Sequence, residues 1–503
     1  MRRFLPYLLL VCAVLLTFGS ALRAPFHFDD RALFADSAIT SPGGWISVWR
    51  PEQSRPLTYF TFWINHSLGG QNPAGYHAVN LALHALCACL LLVCLSALIP
   101  RQSALIAAFL FAVHPIQTEA VMYVFARSTL LTTAFCLAAL FAWTRQRRWI
   151  AVILFAFALL AKEEAAAFPL VLLLLHLAGR RETRDRAPIA CMLALAAAAA
   201  GRVAILAAVI PGSGAGAHAG ISPLDYFFTQ GYVILRYLRL LAIPAGFSVD
   251  PALTPMPDWR GVIAWIALAG LAWIAWRDLG RSLSSLWFLA GLVLLIPTSS
   301  IFPAADLAAD RRMYLPLLGF APVAGLLLER TRYPVLLPAL IVACALFGYA
   351  RAQVWRSEAA LWEDAVRSAP GRIRPRIQLA RALPPRQALE QLFEARNVAP
   401  DDPAVASELG RVFLEMGNPS QALAEFGRAV AANPNDALAL NNRGVALVAL
   451  GLRDHALHDF RKALEIDPCL FDARMNLAKT GEKTPLPADC RFSNRQVRDY
   501  NSR

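Results

Sequence analysis

The chain has 503 residues, 57% of them apolar and 17% charged, with a formal net charge of +13. Soluble enzymes run at about 45–50% apolar and 25% charged residues, so that class is excluded. The arginines lie between apolar runs rather than in a basic stripe interleaved with aromatics, which excludes nucleic-acid binding. Apolar runs of roughly 20 residues, enough to span hydrocarbon, recur through the first two thirds. The pattern predicts an all-α protein: a polytopic membrane helix bundle over 1–351, a connector over 352–369, helical repeats over 370–482 and a tail over 483–503.

Arg2 and Arg3 precede the first apolar run, 4–22, which has the look of a signal peptide. The many spans that follow favour an uncleaved first helix. Further apolar segments lie at 76–99, 103–122, 127–144, 149–161, 164–178, 188–210, 224–243, 259–276, 282–298, 313–329 and 333–351. Basic residues mark cytoplasmic loops, here Arg101 and the stretches 145–148, 180–186, 277–281 and 330–332. That rule puts Asp29-Asp30 and the turn His114 to Glu119 outside. It also breaks the apolar stretch after Arg148 into two short spans, with Lys162 and Glu163 at the outer surface or within a cavity. The segment 224–243 carries Asp225, Arg236 and Arg239 and is expected to lie at the interface or re-enter. About eleven spans result, with the repeats outside.

Polar residues gather on this outer face from five separate stretches, and charge at a membrane face points to function. The adjacent carboxylates Asp29 and Asp30 suit a general base acting on a lipid-carried substrate. The first loop adds Arg55 and leads to His77, Asn80 and His84, which share one helix face. That trio is a weak zinc set, and hydrogen bonding of the loop to the bundle is the preferred reading. His114, Glu119, Arg127, Lys162, Glu163, Arg311 and Tyr314 complete the polar set. No cofactor is expected: there is no Gly-rich phosphate loop and no convincing metal site, although Asp29-Asp30 leaves a divalent ion open. Seven cysteines lie in apolar runs as packing residues, whereas Cys469 and Cys490 can pair in an oxidising compartment.

The tail of the chain repeats. Gly410 and Gly444, Ala422 and Ala456, Phe426 and Phe460, Ala429 and Ala463, and Pro434 and Pro468 are each 34 residues apart. This is the tetratricopeptide period. A weaker earlier unit keeps register through Ala388, Leu392 and Ala395, and 471–480 reads as a capping helix. Such a short solenoid is expected to bind an acceptor or partner protein.

Seven motifs occur in order: FDD, RPLTYFTFWIN, PAGYHAVNLALH, FAVHPIQTEAVMYV, AKEEAAAFPLVLLL, LIPTSS and DRRMYLPLLGF. With the repeats behind them, the chain resembles the transmembrane and tetratricopeptide repeat-containing O-mannosyltransferases and their bacterial relatives, within the C-type glycosyltransferase superfamily. The resemblance implies transfer of a sugar, mannose or another hexose, from a polyprenyl-phosphate carrier to a protein hydroxyl. The reaction would take place on the outer face of the plasma membrane, the inner membrane in a bacterium. It assigns the base to Asp29 or Asp30, with Asp30 favoured, and the donor phosphate to Arg311. Lys162 would assist, and Arg55, His77, His114, Glu119, Arg127, Glu163 and Tyr314 are pocket candidates. The sequence departs from the family after the second external turn, where Ala126-Arg127-Ser128-Thr129 keeps the arginine without the acid that follows it. Two other readings stand beside this one: a non-catalytic repeat scaffold, and a surface-glycan ligase or polymerase. The short late loop counts against the second.

Overall fold

Helix follows each apolar run in the computed structural model, which describes residues 4–179, 186–209, 220–255, 258–304, 306–330, 335–487, 490, 496–497 and 500. Arg2 and Arg3, most of the basic loop at 180–186 and residues 331–332 lie outside the described residues. No β-strand forms among those described. The chain divides into two compact units, Met1–Ser357 and Glu358–Arg503.

The first unit begins with α1 (Leu5–Phe18) and a polar loop that ends in α2 (Pro56–Gly69). Next come α3 (Pro73–Ser96), α4 (Arg101–Val113), α5 (Thr118–Met122) and α6 (Arg127–Thr144). Asn72 caps α3 by accepting the Ala74 amide at 3.1 Å, with Pro73 in the first turn, where a missing N–H costs nothing. After α7 (Arg148–Ala161) the chain breaks at Lys162, and α8 (Phe168–Leu177) follows. Then come α9 (Ala187–Val209), α10 (Pro223–Ala242), α11 (Trp259–Arg277), α12 (Leu283–Leu295), α13 (Leu317–Leu328) and α14 (Leu336–Val354).

Many large apolar side chains face outward: Leu8 and Leu16 on α1, Ile266 and Trp273 on α11, Val342 and Phe347 on α14. Contiguous apolar surface on this scale needs lipid around it. Among the described residues, six helices are long and apolar enough to cross a bilayer, and the bent pair α4–α5, if counted as one span, brings the number to seven. That is fewer than the eleven spans expected, because α7, α8, α12 and α13 are short apolar helices of 14, 10, 13 and 12 residues. Glycine sets how closely α12 and α13 approach: a Cβ at Gly319 would overlap the Gly291 backbone.

The polar first loop is anchored rather than trailing. Phe26, Leu33 and Ile39 pack with Phe62, Tyr76 and Val124 in one buried cluster. The polar side of α10 meets the late loop: Arg236 pairs with Asp310 at 2.9 Å, Gln230 Nε2 donates to the Leu307 carbonyl at 2.9 Å, and Tyr237 Oη donates to the Ala309 carbonyl at 2.9 Å.

In the second unit, α15 (Glu358–Ser368) forms within the stretch read as a connector and packs on α16 (Ile373–Ala382). Helix pairs then follow: α17 (Pro385–Val398) behind α16, α18 (Pro403–Glu415) with α19 (Pro419–Ala432), and α20 (Ala437–Ala449) with α21 (Arg453–Ile466). The 34-residue step has a direct physical cause. Gly410 lies against the Phe426 ring and Gly444 against the Phe460 ring, and a Cβ at either glycine would strike that ring. The turn between helices reverses at Gly417 and Gly451, whose φ of 73° and 77° suit glycine. The cap α22 (Phe471–Lys479) closes the array, and Cys469 and Cys490 are joined in a disulfide with Cα atoms 5.4 Å apart.

Candidate active site

The two adjacent carboxylates have opposite environments. Phe28 takes a left-handed backbone, φ 48°, which costs an L-residue about 1–2 kcal/mol. Its ring meets Tyr123 and Trp355 edge-on, with centroids 5.6 and 6.1 Å away. This turn sends Asp30 inward and leaves Asp29 exposed. Asp30 Oδ2 accepts the amides of His27 at 3.1 Å and Val124 at 3.3 Å, and Oδ1 accepts the Phe125 amide at 2.7 Å. Burial pushes its carboxyl up to about 7, against the pull of those three amides. Asp30 therefore spends its oxygens holding the loop to the 123–125 segment, and an ion shared between the two carboxylates would compete with those bonds. Among the described residues, the Asp29 carboxylate accepts a hydrogen bond from Tyr123 Oη alone, to Oδ2 at 2.9 Å, which leaves Oδ1 to other partners.

Tyr123 links this carboxylate to the late loop. The Arg311 guanidinium carbon lies 5.6 Å from the Tyr123 ring centroid, within cation–π range. Arg311 N–H donates to Glu119 Oε2 at 3.1 Å, its Nη1 pairs with Glu119 Oε1, and Nη2 reaches Asp306 Oδ2 at 3.2 Å. Glu119 is buried, whereas Asp306 is half-buried, with 43% of its side chain accessible. The Asp306 contact is thus the one an incoming anion can replace.

A second charged cluster sits at the break between α7 and α8. Arg55 Nε and Nη2 grip Glu163 at 3.1 and 2.5 Å. Burial works against the Glu163 charge, but Arg55 outweighs it and holds the carboxyl at about 2. Lys162 Nζ is committed to Glu164 at 2.6 Å and Thr129 Oγ1 at 2.7 Å.

The remaining candidates are pins inside the bundle. Arg127 is fully buried; Nε donates to Asn80 Oδ1 at 3.0 Å and Nη2 to the Tyr76 carbonyl at 3.0 Å, with the Phe62 ring centroid 4.5 Å away. Tyr314 Oη donates to His84 Nδ1 at 2.7 Å, and His84 Nε2–H donates to the Ala112 carbonyl at 3.1 Å. Asn80 Nδ2 reaches the Tyr123 carbonyl at 3.2 Å, so Asn80 and His84 hydrogen-bond within the bundle, while His77 is buried on the same helix. His114 Nε2–H donates to the Leu241 carbonyl at 3.2 Å. Its ring also lines an apolar cavity of about 400 Å³ with Phe111, Leu317, Phe320 and Phe347. Sequence reasoning missed Tyr123 and Asp306. Tyr123 closes the quoted FAVHPIQTEAVMYV motif, and a hydroxyl at the break between a short helix and the next span was the available signal.

Comparison with known proteins agrees with the motifs. A tetratricopeptide repeat family model matches residues 407–468. A protein O-mannosyl-transferase of Caenorhabditis elegans is 26% identical over 422 residues, which is 75% of this chain and 59% of that protein. The mouse protein O-mannosyl-transferase TMTC3 is 34% identical over 153 residues, 28% of this chain and 17% of its own. The chain thus spans little more than half of the worm relative. Among solved structures, ArnT from Cupriavidus metallidurans, bound to undecaprenyl phosphate, is 13% identical with a TM-score of 0.42, covering 90% of this chain and 79% of that one. The resemblance carried by the ordered motifs is borne out: in sequence this chain is similar to proteins named as protein O-mannosyl-transferases, and its second unit matches the tetratricopeptide repeat.

Proposed function

We propose that the first unit transfers a hexose, mannose by kinship, from a polyprenyl-phosphate carrier to a protein hydroxyl on the non-cytoplasmic face. The observation that carries this reading is the pairing of an open carboxylate, Asp29, with a cation, Arg311, across one tyrosine ring. In the reaction the acceptor oxygen bonds to the anomeric carbon as the bond from that carbon to the phosphate oxygen breaks. Asp29 Oδ1 takes the acceptor proton. Arg311 receives the departing phosphate in place of Asp306, and a guanidinium fork suits that bidentate task. Asp30 serves as a structural anchor for the loop, not as the base. The apolar cavity along α13, directly after the Arg311 turn, supports a polyisoprenoid carrier as the donor.

Two ties support the non-cytoplasmic side. His27 Nε2–H donates to the Trp355 carbonyl at 2.9 Å, so the chain leaves the first unit at the same end as the Asp29 loop. The Cys469–Cys490 disulfide supports an oxidising compartment for what comes next. The repeats then serve to recruit the acceptor polypeptide or a partner enzyme.

The test supplies the full chain in membranes with undecaprenyl-phosphate mannose and a threonine-containing peptide. Wild type is expected to release undecaprenyl phosphate and mannosylate the peptide, while Asp29→Asn loses at least about a hundredfold. A non-catalytic scaffold predicts no release from either protein. A ligase or polymerase of surface glycans predicts that mannose never reaches the peptide.

A further inference from the structure

We infer that Tyr123 is a positioning residue for the transfer, holding one oxygen of Asp29 and the face of Arg311 so that base and phosphate site keep a fixed spacing. This rests on the transferase reading above and adds a residue to it. Four observations carry it. Tyr123 Oη donates to Asp29 Oδ2 at 2.9 Å. Its ring lies 5.6 Å from the Arg311 guanidinium carbon. The side chain is 3% exposed, wedged between the rings of Phe28, Phe125 and Trp355 at centroid distances of 5.6, 6.2 and 6.4 Å. Its backbone is fixed as well: its carbonyl accepts from Asn80 Nδ2, and the next two amides hold Asp30.

A rigid aromatic that donates to a carboxylate does two things. It selects which oxygen is free, here Oδ1, and it stabilises the charged carboxylate against the protonated one. The charged groups facing Tyr123 are Asp29 and Asp30 from the first loop and Arg311 from the late loop. Burial, then the two nearby carboxylates, hold the phenol well above the ordinary tyrosine range despite Arg311, so it remains a donor throughout the working pH range. The proton from the acceptor passes to Asp29 Oδ1 and later to water. Tyr123 neither gains nor loses one.

The experiment measures donor turnover by the full chain with undecaprenyl-phosphate mannose and the threonine peptide, as a function of pH. Tyr123→Phe keeps the ring under Arg311 and removes only the hydroxyl. Expected are a drop in kcat of about tenfold, a donor KM within about twofold, and an acid limb about one pH unit higher. In a second variant, 3-fluorotyrosine at position 123 makes a stronger donor and moves the acid limb to lower pH. That arm decides the matter if Tyr123→Phe does not accumulate. An acid limb that stays at its wild-type position in the variants overturns the inference, whatever happens to kcat. Asp29→Asn separates this failure from a larger one. If it is as active as wild type, or if wild type turns nothing over, the transferase reading itself fails and the inference goes with it.

Discussion

Asp29 and Asp30 are neighbours in sequence, yet one faces outward and the other is held by three amides from His27, Val124 and Phe125. Two of those amides come from a segment more than ninety residues away, where the chain breaks between α5 and α6. The carboxylate pair was legible in the sequence, but the opposite environments of its two members were not, because they depend on that distant partner and on the positive φ of Phe28. Asp30 carries a pH signature. Its folded value, about 7, lies above the ordinary 3.8, so the fold prefers the neutral acid. Its contribution to stability is therefore full below about pH 4 and is lost as pH rises through about 7, a change on the order of 4 kcal/mol. Asn resembles the neutral form at every pH. Thermal unfolding in detergent should show Asp30→Asn gaining on wild type steadily between pH 5 and pH 8. A gap independent of pH would refute this account of Asp30.

At the scale of helices, periodicity and apolar length served well, and each apolar run drawn from the sequence contains helix. What escaped was which helices suffice to cross a bilayer unaided, since α7, α12 and α13 are short, and α10 turns its polar side to the late loop rather than to water. Pocket candidates such as Arg127 and Tyr314 looked like site residues because charge and hydroxyls near a membrane are costly. The cost is met instead by internal hydrogen bonds that pin helices together. Close packing makes its own prediction. Ala at Gly319 forces a methyl onto the Gly291 backbone and should destabilise by about 2–3 kcal/mol. Ala at Gly270, where nothing lies within 4 Å, serves as the neutral control. Equal melting temperatures for the two variants would show that α12 and α13 are not closely packed there.

Across the whole molecule, the second unit was the most readable part, because Gly410 and Gly444 must lie against Phe426 and Phe460 and so impose the 34-residue step. The cysteine pair was readable only as a possibility, since pairing needs the tail folded back onto the cap. Arg474 Nη1 on the cap does this by donating to Thr484 Oγ1 at 2.9 Å, and the Tyr500 ring lies 6.4 Å from that of Phe471, centroid to centroid. Closing a loop of 21 residues is worth about 3 kcal/mol. Cys469→Ser in the full chain should accelerate tryptic cleavage of the tail, and reductant should do the same to wild type while leaving the variant unchanged. Identical cleavage rates in all cases would remove the disulfide from the account.

The central claim is that Asp29 accepts the proton of a protein hydroxyl as a hexose leaves its lipid carrier. Glycopeptide mass spectrometry of envelope proteins, from cells carrying wild type or Asp29→Asn as their sole copy, tests it most directly. Hexose on serine and threonine is expected with wild type and is expected to be lost with Asp29→Asn, at equal levels of inserted protein. Unchanged hexosylation in the Asp29→Asn cells would contradict it.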